Sequence, residues 1–302
     1  MSIPSGGPIA DLSYRNYTGP KGLAKLRWWP IVKSGLRSSF KKKGFWVLAV
    51  VSLLPYIPVF FMVLLTTLRG TTDSSFLPEF PSLVGGLYSS GFWPLMLALM
   101  VGAGSIAADN RSNALQVYLS KPITKSDYLI GKWMYIFLVV FAVYFAPLFL
   151  LTVFEMLTLG FGDFFGKYGL LFPKLLLLSV IPAAVHASAL VGISAWNKTP
   201  WLVGVIYAGI YIFTSFLAII LAHAISGLSF RAAATVSDLS IGGAIAGVGT
   251  NILGAAPRSV LPGPESSSLP YPLPLWLILI GISIVGLLLA SRRIRAVEVV
   301  QG

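Results

Sequence analysis

Apolar residues in this chain gather in long uninterrupted runs, not in strict alternation or narrow stripes. A helix needs about 20 predominantly apolar residues to cross the roughly 30 Å of hydrocarbon in a bilayer. Six runs meet or approach that length, over residues 45–67, 84–107, 133–154, 172–195, 201–223 and 274–290. The last is short, but no charge falls between Leu273 and Ala290, and Trp276 suits an interfacial position. The runs predict an all-α polytopic membrane protein with six transmembrane helices. Pro55 and Pro58 interrupt the first, Pro147 the third and Pro182 the fourth. Each is expected to kink its helix, which a bundle tolerates where neighbours satisfy the freed carbonyls.

Two segments break the pattern. Residues 1–44 are polar and basic, with no apolar stretch of signal-peptide type, so the first run would act as an uncleaved insertion signal. After the turn-rich part from Asp11 to Pro20, Trp29, Val32, Leu36 and Phe40 recur at helical spacing, with Lys33, Arg37 and Lys41 flanking the stripe. Such a helix lies in the headgroup plane, its apolar face in the acyl boundary and its cations among anionic lipids. Lys41–Lys43 also serve as a topology signal, and the two roles are compatible. The second segment, 224–272, holds a short apolar stretch, Leu239–Gly254, in which Ile241, Ile245, Val248 and Ile252 follow a helical repeat with glycines between them. It reads as a re-entrant helix at the outer surface or as a loosely packed outer loop. The prolines from Pro257 to Pro274 then mark an irregular external loop.

Composition agrees with the runs. Of 302 residues, 56% are hydrophobic and 11% charged, whereas soluble domains carry about 25% charged residues. Disorder, collagen-like repeats and an ordinary cytosolic enzyme are excluded. The chain has no cysteine, which removes disulfides, thiolate metal sites and a cysteine nucleophile. The net charge of +12 is better read by placement than by sum. With six spans, 17 of the 22 Lys and Arg residues fall on the side of the two termini, nine of them before the first span. The positive-inside rule therefore puts both termini in the cytoplasm of a plasma-membrane protein. Topology accounts for the basic tract, and no nucleic-acid module accompanies it. The chain divides into a cytoplasmic segment 1–44, a transmembrane region 45–291 and a basic tail 292–302.

The connection between the second and third runs, 108–132, carries the most local information. Ser112–Leu119 can form a short amphipathic helix with Leu115, Tyr118 and Leu119 on one face, and Pro122 stops it. Thr124 and Asp127 then form a Thr-x-x-Asp pattern that starts the next helix. A compact helix–turn–helix with an apolar face and a charged rim suits docking to a soluble partner. A plain inter-helix connector fits the same residues.

Here the sequence resembles the permease subunits of type-2 ABC exporters, the group with the type V exporter fold. Asp11-Leu-Ser-Tyr14-Arg-Asn-Tyr17-Thr-Gly19 is similar to the Asp-x-x-Tyr-x-x-Tyr-x-Gly stretch that opens many prokaryotic members. Asp109, the Ala-Leu-x-x-x-Leu of 114–119, Lys121-Pro122-Ile123-Thr124, Tyr128 and Gly131-Lys132 resemble that family's loop pattern. Arg292-Arg293-Ile294-Arg295 resembles its basic end. Asn113 departs from it, standing where many members have Gly.

The resemblance implies two six-span subunits, here a homodimer, seated on two copies of a separate ABC ATP-binding subunit. ATP and magnesium would be bound by that partner, and this chain would hold no cofactor. The surface helix of Trp29, Val32, Leu36 and Phe40 would be an elbow helix. Asn110–Ser120 would be a coupling helix, with Asp109, Arg111, Leu115, Tyr118, Leu119 and Lys121 engaging the ATPase. The outer helices between spans five and six would cap the exit. The chain has no Gly-x-x-x-x-Gly-Lys-Ser/Thr loop, since Gly131-Lys132 is followed by Trp133 and Gly166-Lys167 by Tyr168. ATPase chemistry would then lie in another polypeptide.

Within the spans, Glu155 and His223 lie near outer ends and read as interfacial. His186 sits mid-span, four residues after Pro182. It either bonds a carbonyl freed by that proline or serves a substrate or proton. Gly85, Gly86 and Gly91 in span two and Gly204 and Gly209 in span five permit close approach of helices. By analogy they would face the pathway and dimer seam, though they could equally pack one subunit's bundle. The competing readings are a secondary transporter or channel, which usually shows mid-membrane coupling charges, and an integral-membrane enzyme. No His-Glu-x-x-His or Gly-x-Ser-x-Gly motif supports the latter. Substrate identity is not encoded in these patterns.

Overall fold

The computed structural model describes residues 26–69, 79–89, 91–114, 123–224, 230–255 and 269–294. They are mainly helical, with no strand among them, and six helices are long and apolar enough to cross a membrane: Lys43–Leu65, Phe92–Arg111, Lys125–Leu159, Leu171–Trp196, Pro200–Ala224 and Pro272–Arg293.

The chain opens with α1 (Trp29–Phe40), started by Pro30, whose missing N–H costs nothing in a first turn. The first span follows as α2 (Lys43–Val51) and α3 (Tyr56–Arg69), broken where Pro55 and Pro58 were expected to disturb it. Then α4 (Phe80–Ser89) and α5 (Phe92–Gly102) are separate helices. The single run expected over 84–107 is corrected by this break. Pro94 lacks an N–H donor and falls in the first turn of α5, where that donor would have no intrahelical partner, and the span starts at Phe92. A hydropathy window does not register that boundary.

The span ends with a loosened turn and a short α6 (Ala107–Arg111). Ser194 of a neighbouring helix repairs that turn: its hydroxyl accepts from the amides of Ile106 (3.0 Å) and Ala107 (2.8 Å) and donates to Ala103 O (3.0 Å). The orphaned backbone groups are thus satisfied away from water.

The third span, α7 (Lys125–Leu159), begins at the capping box read from sequence. Thr124 Oγ1 accepts from the Asp127 amide at 3.1 Å, and Asp127 Oδ2 accepts from the Thr124 amide at 3.0 Å. It continues through Pro147 to Gly160 (φ 87°). After α8 (Phe161–Tyr168) comes α9 (Leu171–Trp196), the most buried span, packed chiefly on α7 and on the last span, α13 (Pro272–Arg293). At the α9–α13 crossing the backbones nearly touch, and a Cβ on Gly192 would lie 2.6 Å from Gly286 O. By contrast, α10 (Pro200–Ala224) buries only Val203, Tyr207 and Ala218.

Between α10 and α13 come α11 (Phe230–Ser237) and α12 (Ile241–Leu253). The repeat of Ile241, Ile245, Val248 and Ile252 is helical as expected. Ser240 caps α12 by accepting from the Gly243 amide at 2.9 Å, and Gly254 ends it in the left-handed region (φ 75°). The helix lies within the bundle, not across its surface. Gly242 at its start abuts Tyr211 midway along α10, and Leu253 O at its end accepts from Lys174 Nζ near the start of α9.

The bundle has two ends. One gathers α1, α6, the start of α7 and the end of α9, and there Trp196 Nε1 donates to Leu289 O near the end of α13. The other gathers α8, α11 and the start of α13, where the Tyr271 amide donates to Thr235 Oγ1.

Candidate functional site

The site read from sequence lies at the α6 end. Asp109, in α6, is the hub: Lys132 Nζ lies 2.7 Å from Asp109 Oδ2, and Tyr128 donates its phenolic proton to the same oxygen at 2.6 Å. Lys132 and Asp109 are 12% and 16% exposed, so water screens the pair weakly. The α7 register makes this possible, because Tyr128 and Lys132 are four residues apart on one face of the helix. Asn110 fixes the opposite flank, donating to Ala195 O at 2.9 Å and Asn197 O at 3.1 Å. The end of span two is thereby tied to the start of span three and the end of span four by charge-assisted and amide bonds.

At the end of α6 Arg111 is exposed, and just beyond it Asn113 adopts φ 54°. Gly reaches that left-handed conformation freely, and Asn is one of the few other residues that tolerates it. The departure from the Gly pattern therefore preserves the turn. Leu115, Tyr118, Leu119 and Lys121 lie outside the described residues.

Helix α1 forms the adjoining wall. Val32 is fully buried and Leu36 packs on the core, while Trp29 and Phe40 stay exposed. The apolar stripe thus serves two surfaces, with its middle on the bundle and its ends outward. Two glycines allow the close dock onto α7. A Cβ on Gly35 would lie 2.7 Å from Tyr135 Cγ, and one on Gly131 would lie 2.8 Å from Ile31 Cβ.

The small residues proposed for a pathway do not form one set. Gly85 and Gly86 belong to α4, apart from span two; Gly85 faces Leu253 of α12, and Gly86 has open space. Gly204 meets Ala103 across spans five and two, whereas Gly209 has no neighbour. Gly91 lies against the hydroxyls of Tyr144 and Tyr211.

That last contact exposes a cluster the sequence reading passed over. His186 is buried, with Nδ1 2.7 Å from Tyr207 Oη, so its partner is the phenol and not a carbonyl freed by Pro182. Its ring also lies 6.2 Å from that of Tyr211, and Tyr88 lies 5.7 Å from Tyr144. Among the described residues, His186 Nε2 and Tyr88 Oη have no hydrogen-bond partner. Four tyrosines and one histidine from four helices thus meet midway through the bundle. The available signal was placement: tyrosines favour membrane interfaces, and Tyr144, Tyr207 and Tyr211 lie mid-span. Glu155 is partly buried near the end of α7, and His223 Nδ1 lies 2.9 Å from Ile219 O of its own helix. No group of three or more His, Cys, Asp or Glu residues able to hold a metal occurs among the described residues.

A family model described as ABC-2 family transporter protein covers residues 29–239. No curated protein matches the chain. The matched region runs from α1 to the turn before α12 and includes the Asp109 hub, the α1 wall and the mid-bundle cluster.

Proposed function

The chain belongs to the ABC-2 transporter family, a family of multi-pass membrane transport components, and we propose that it is the permease subunit of an ATP-driven exporter. In this reading two copies pair around a translocation path in the plasma membrane, with the α6 end facing the cytoplasm. Two separate ABC ATP-binding subunits dock there and bind ATP and magnesium. The charge asymmetry supports the orientation, since the α6 end is where the basic residues concentrate.

The observation that carries the coupling role is the tether around Asp109. A loop that receives force must be joined to the spans by contacts that do not slip. Asp109, Lys132, Tyr128 and Asn110 join the loop's two roots to spans two, three and four. Closure of the ATPase pair would press on Leu115, Tyr118 and Leu119, and the tethered roots would pass that displacement into three spans together. A plain connector has no need of such a tether. In the same reading α1 acts as the elbow helix, and α11 and α12 cap the exit.

The test is co-expression with a candidate ABC ATP-binding subunit, followed by co-purification and ATP turnover in liposomes. Leu115→Asp combined with Tyr118→Asp is expected to abolish recruitment and stimulated turnover while the permease stays folded. Unchanged recruitment and turnover in that variant would refute the coupling role.

A further inference from the structure

A cavity of about 640 Å³ opens at the α6 end between α1, the end of span two, α7 and the start of α10. Its volume falls in the roughly 300–1,000 Å³ range of small-molecule sites, far more than a bare anion requires. The polar side consists of Lys42, Ser105, Asp109, Lys132 and three serines of α1, Ser34, Ser38 and Ser39. The remaining wall is apolar, with Met100, Pro200 and Trp201 along one flank.

The charges in this cavity favour one kind of head. Asp109 is already satisfied by Lys132 and Tyr128, so its carboxylate does not repel an incoming anion strongly. Lys42 is exposed and has no carboxylate within 4 Å among the described residues. Ser105 provides an independent observation. It is 3% exposed and lines the cavity next to the Tyr135 phenol, and its hydroxyl makes no hydrogen bond of good geometry among the described residues. The neighbouring Tyr135 spends its own proton on Val101 O at 2.8 Å. A buried hydroxyl with donor capacity to spare and an exposed ammonium thus line one cavity, an arrangement that suits an anion.

We propose that this cavity binds the phosphate-bearing headgroup of a phospholipid. The phosphate oxygens accept from Lys42 and the serine hydroxyls, and the acyl chains leave along Met100, Pro200 and Trp201. A soluble phosphate ester shares the head chemistry but has nothing to place against the apolar flank. The site requires that the chain is embedded in a membrane and does not depend on the exporter assignment.

Native mass spectrometry of the delipidated full chain in detergent tests this, with dioleoyl phosphatidylglycerol as the probe. The wild type is expected to retain one lipid tightly. Lys42→Glu removes the cation, and Ser38→Trp fills the cavity from an exposed position of α1. Each should weaken that lipid at least tenfold, with helical content unchanged by circular dichroism. Lys33→Glu changes an exposed basic residue of α1 outside the cavity lining and should stay within twofold of wild type. An equal loss in Lys33→Glu would reduce the effect to a diffuse basic surface and overturn the site. Retention in both Lys42→Glu and Ser38→Trp would place the lipid elsewhere. Glycerol 1-phosphate and inorganic phosphate are the competing arms. Displacement of the lipid by either at equal concentration would make the ligand a soluble phosphate and overturn the lipid assignment.

Discussion

Lys132→Met keeps the apolar stem of the lysine, removes its ammonium, and leaves the Asp109 carboxylate without its cation. An exposed ion pair contributes about 0–1 kcal/mol, whereas removing one partner of a buried pair costs about 3–5 kcal/mol. With side chains 12% and 16% exposed and a separation of 2.7 Å, this pair lies near the buried limit. The Tyr128 hydroxyl still donates to the carboxylate after the substitution. The expected loss is therefore about 2–3 kcal/mol, roughly a 30- to 150-fold drop in the folding constant. Tyr128→Phe leaves the ion pair but deletes a charge-assisted bond, at about 1.5 kcal/mol or slightly more. Asp109→Asn should cost less than Lys132→Met, because a lysine can extend its ammonium toward the neighbouring cavity. The double variant Asp109→Asn/Lys132→Met contains no stranded charge and should regain most of the stability lost in Lys132→Met alone. Equilibrium unfolding in mixed micelles with rising SDS, followed by circular dichroism, yields all four values and the coupling energy. A double variant as unstable as Lys132→Met would show that the ion pair is not what holds span two to span three.

Three further outcomes follow from other contacts. Gly192→Leu drives a side chain into the backbone of α13 at Gly286, which cannot move aside as a side chain would; it should cost about 3 kcal/mol or more, read as loss of monodisperse protein on heating in detergent. Thr124→Ala deletes the capping box of α7 and should cost about 1 kcal/mol, with faster amide exchange confined to the first turn. Burial raises the Asp238 carboxyl from 3.8 to about 7, so the folded state binds this proton more tightly than the unfolded chain. Its contribution is greatest below pH 4, declines as pH rises toward 7, and is constant above that. Asp238→Asn should flatten that segment of a thermal-stability profile, and an unchanged slope between pH 4 and 7 would refute the assignment.

What could be read before any coordinates divides along physical lines. Span positions were legible because hydrocarbon imposes a length and a composition that any 20-residue window detects. The Thr124–Asp127 box was legible because a cap is local, needing only residues three apart. The start of α5 at Phe92 was not, since it lies inside a run of uniform hydropathy that no window divides. The Asp109 hub was half legible: Asp109, Tyr128 and Lys132 all stood in the loop pattern, but their convergence needs α6 and α7 side by side. The mid-bundle cluster was invisible to spacing, because Tyr88, Tyr144, His186, Tyr207 and Tyr211 are brought together only by packing. Similarly, the stripe of α1 shows amphipathicity without revealing that Val32 faces protein while Trp29 faces outward.

One face of α7 carries a column of rings. Trp133, Phe137, Phe141, Phe145 and Phe149 stack in succession, with centroids 4.9, 6.0, 5.1 and 5.3 Å apart and planes within 25° of parallel. The stacking passes Pro147 without losing step, so the proline does not re-phase the helix. Trp133 also donates to Ser188 Oγ at 2.9 Å, pinning the column's first ring to α9. Such a helix behaves as a lever. At 1.5 Å per residue its 35 residues measure about 52 Å, so a tilt of about 5° at the Asp109 end moves Leu159 by about 4–5 Å. That is about one helical turn of displacement at the far side of the membrane, delivered without bending the rod.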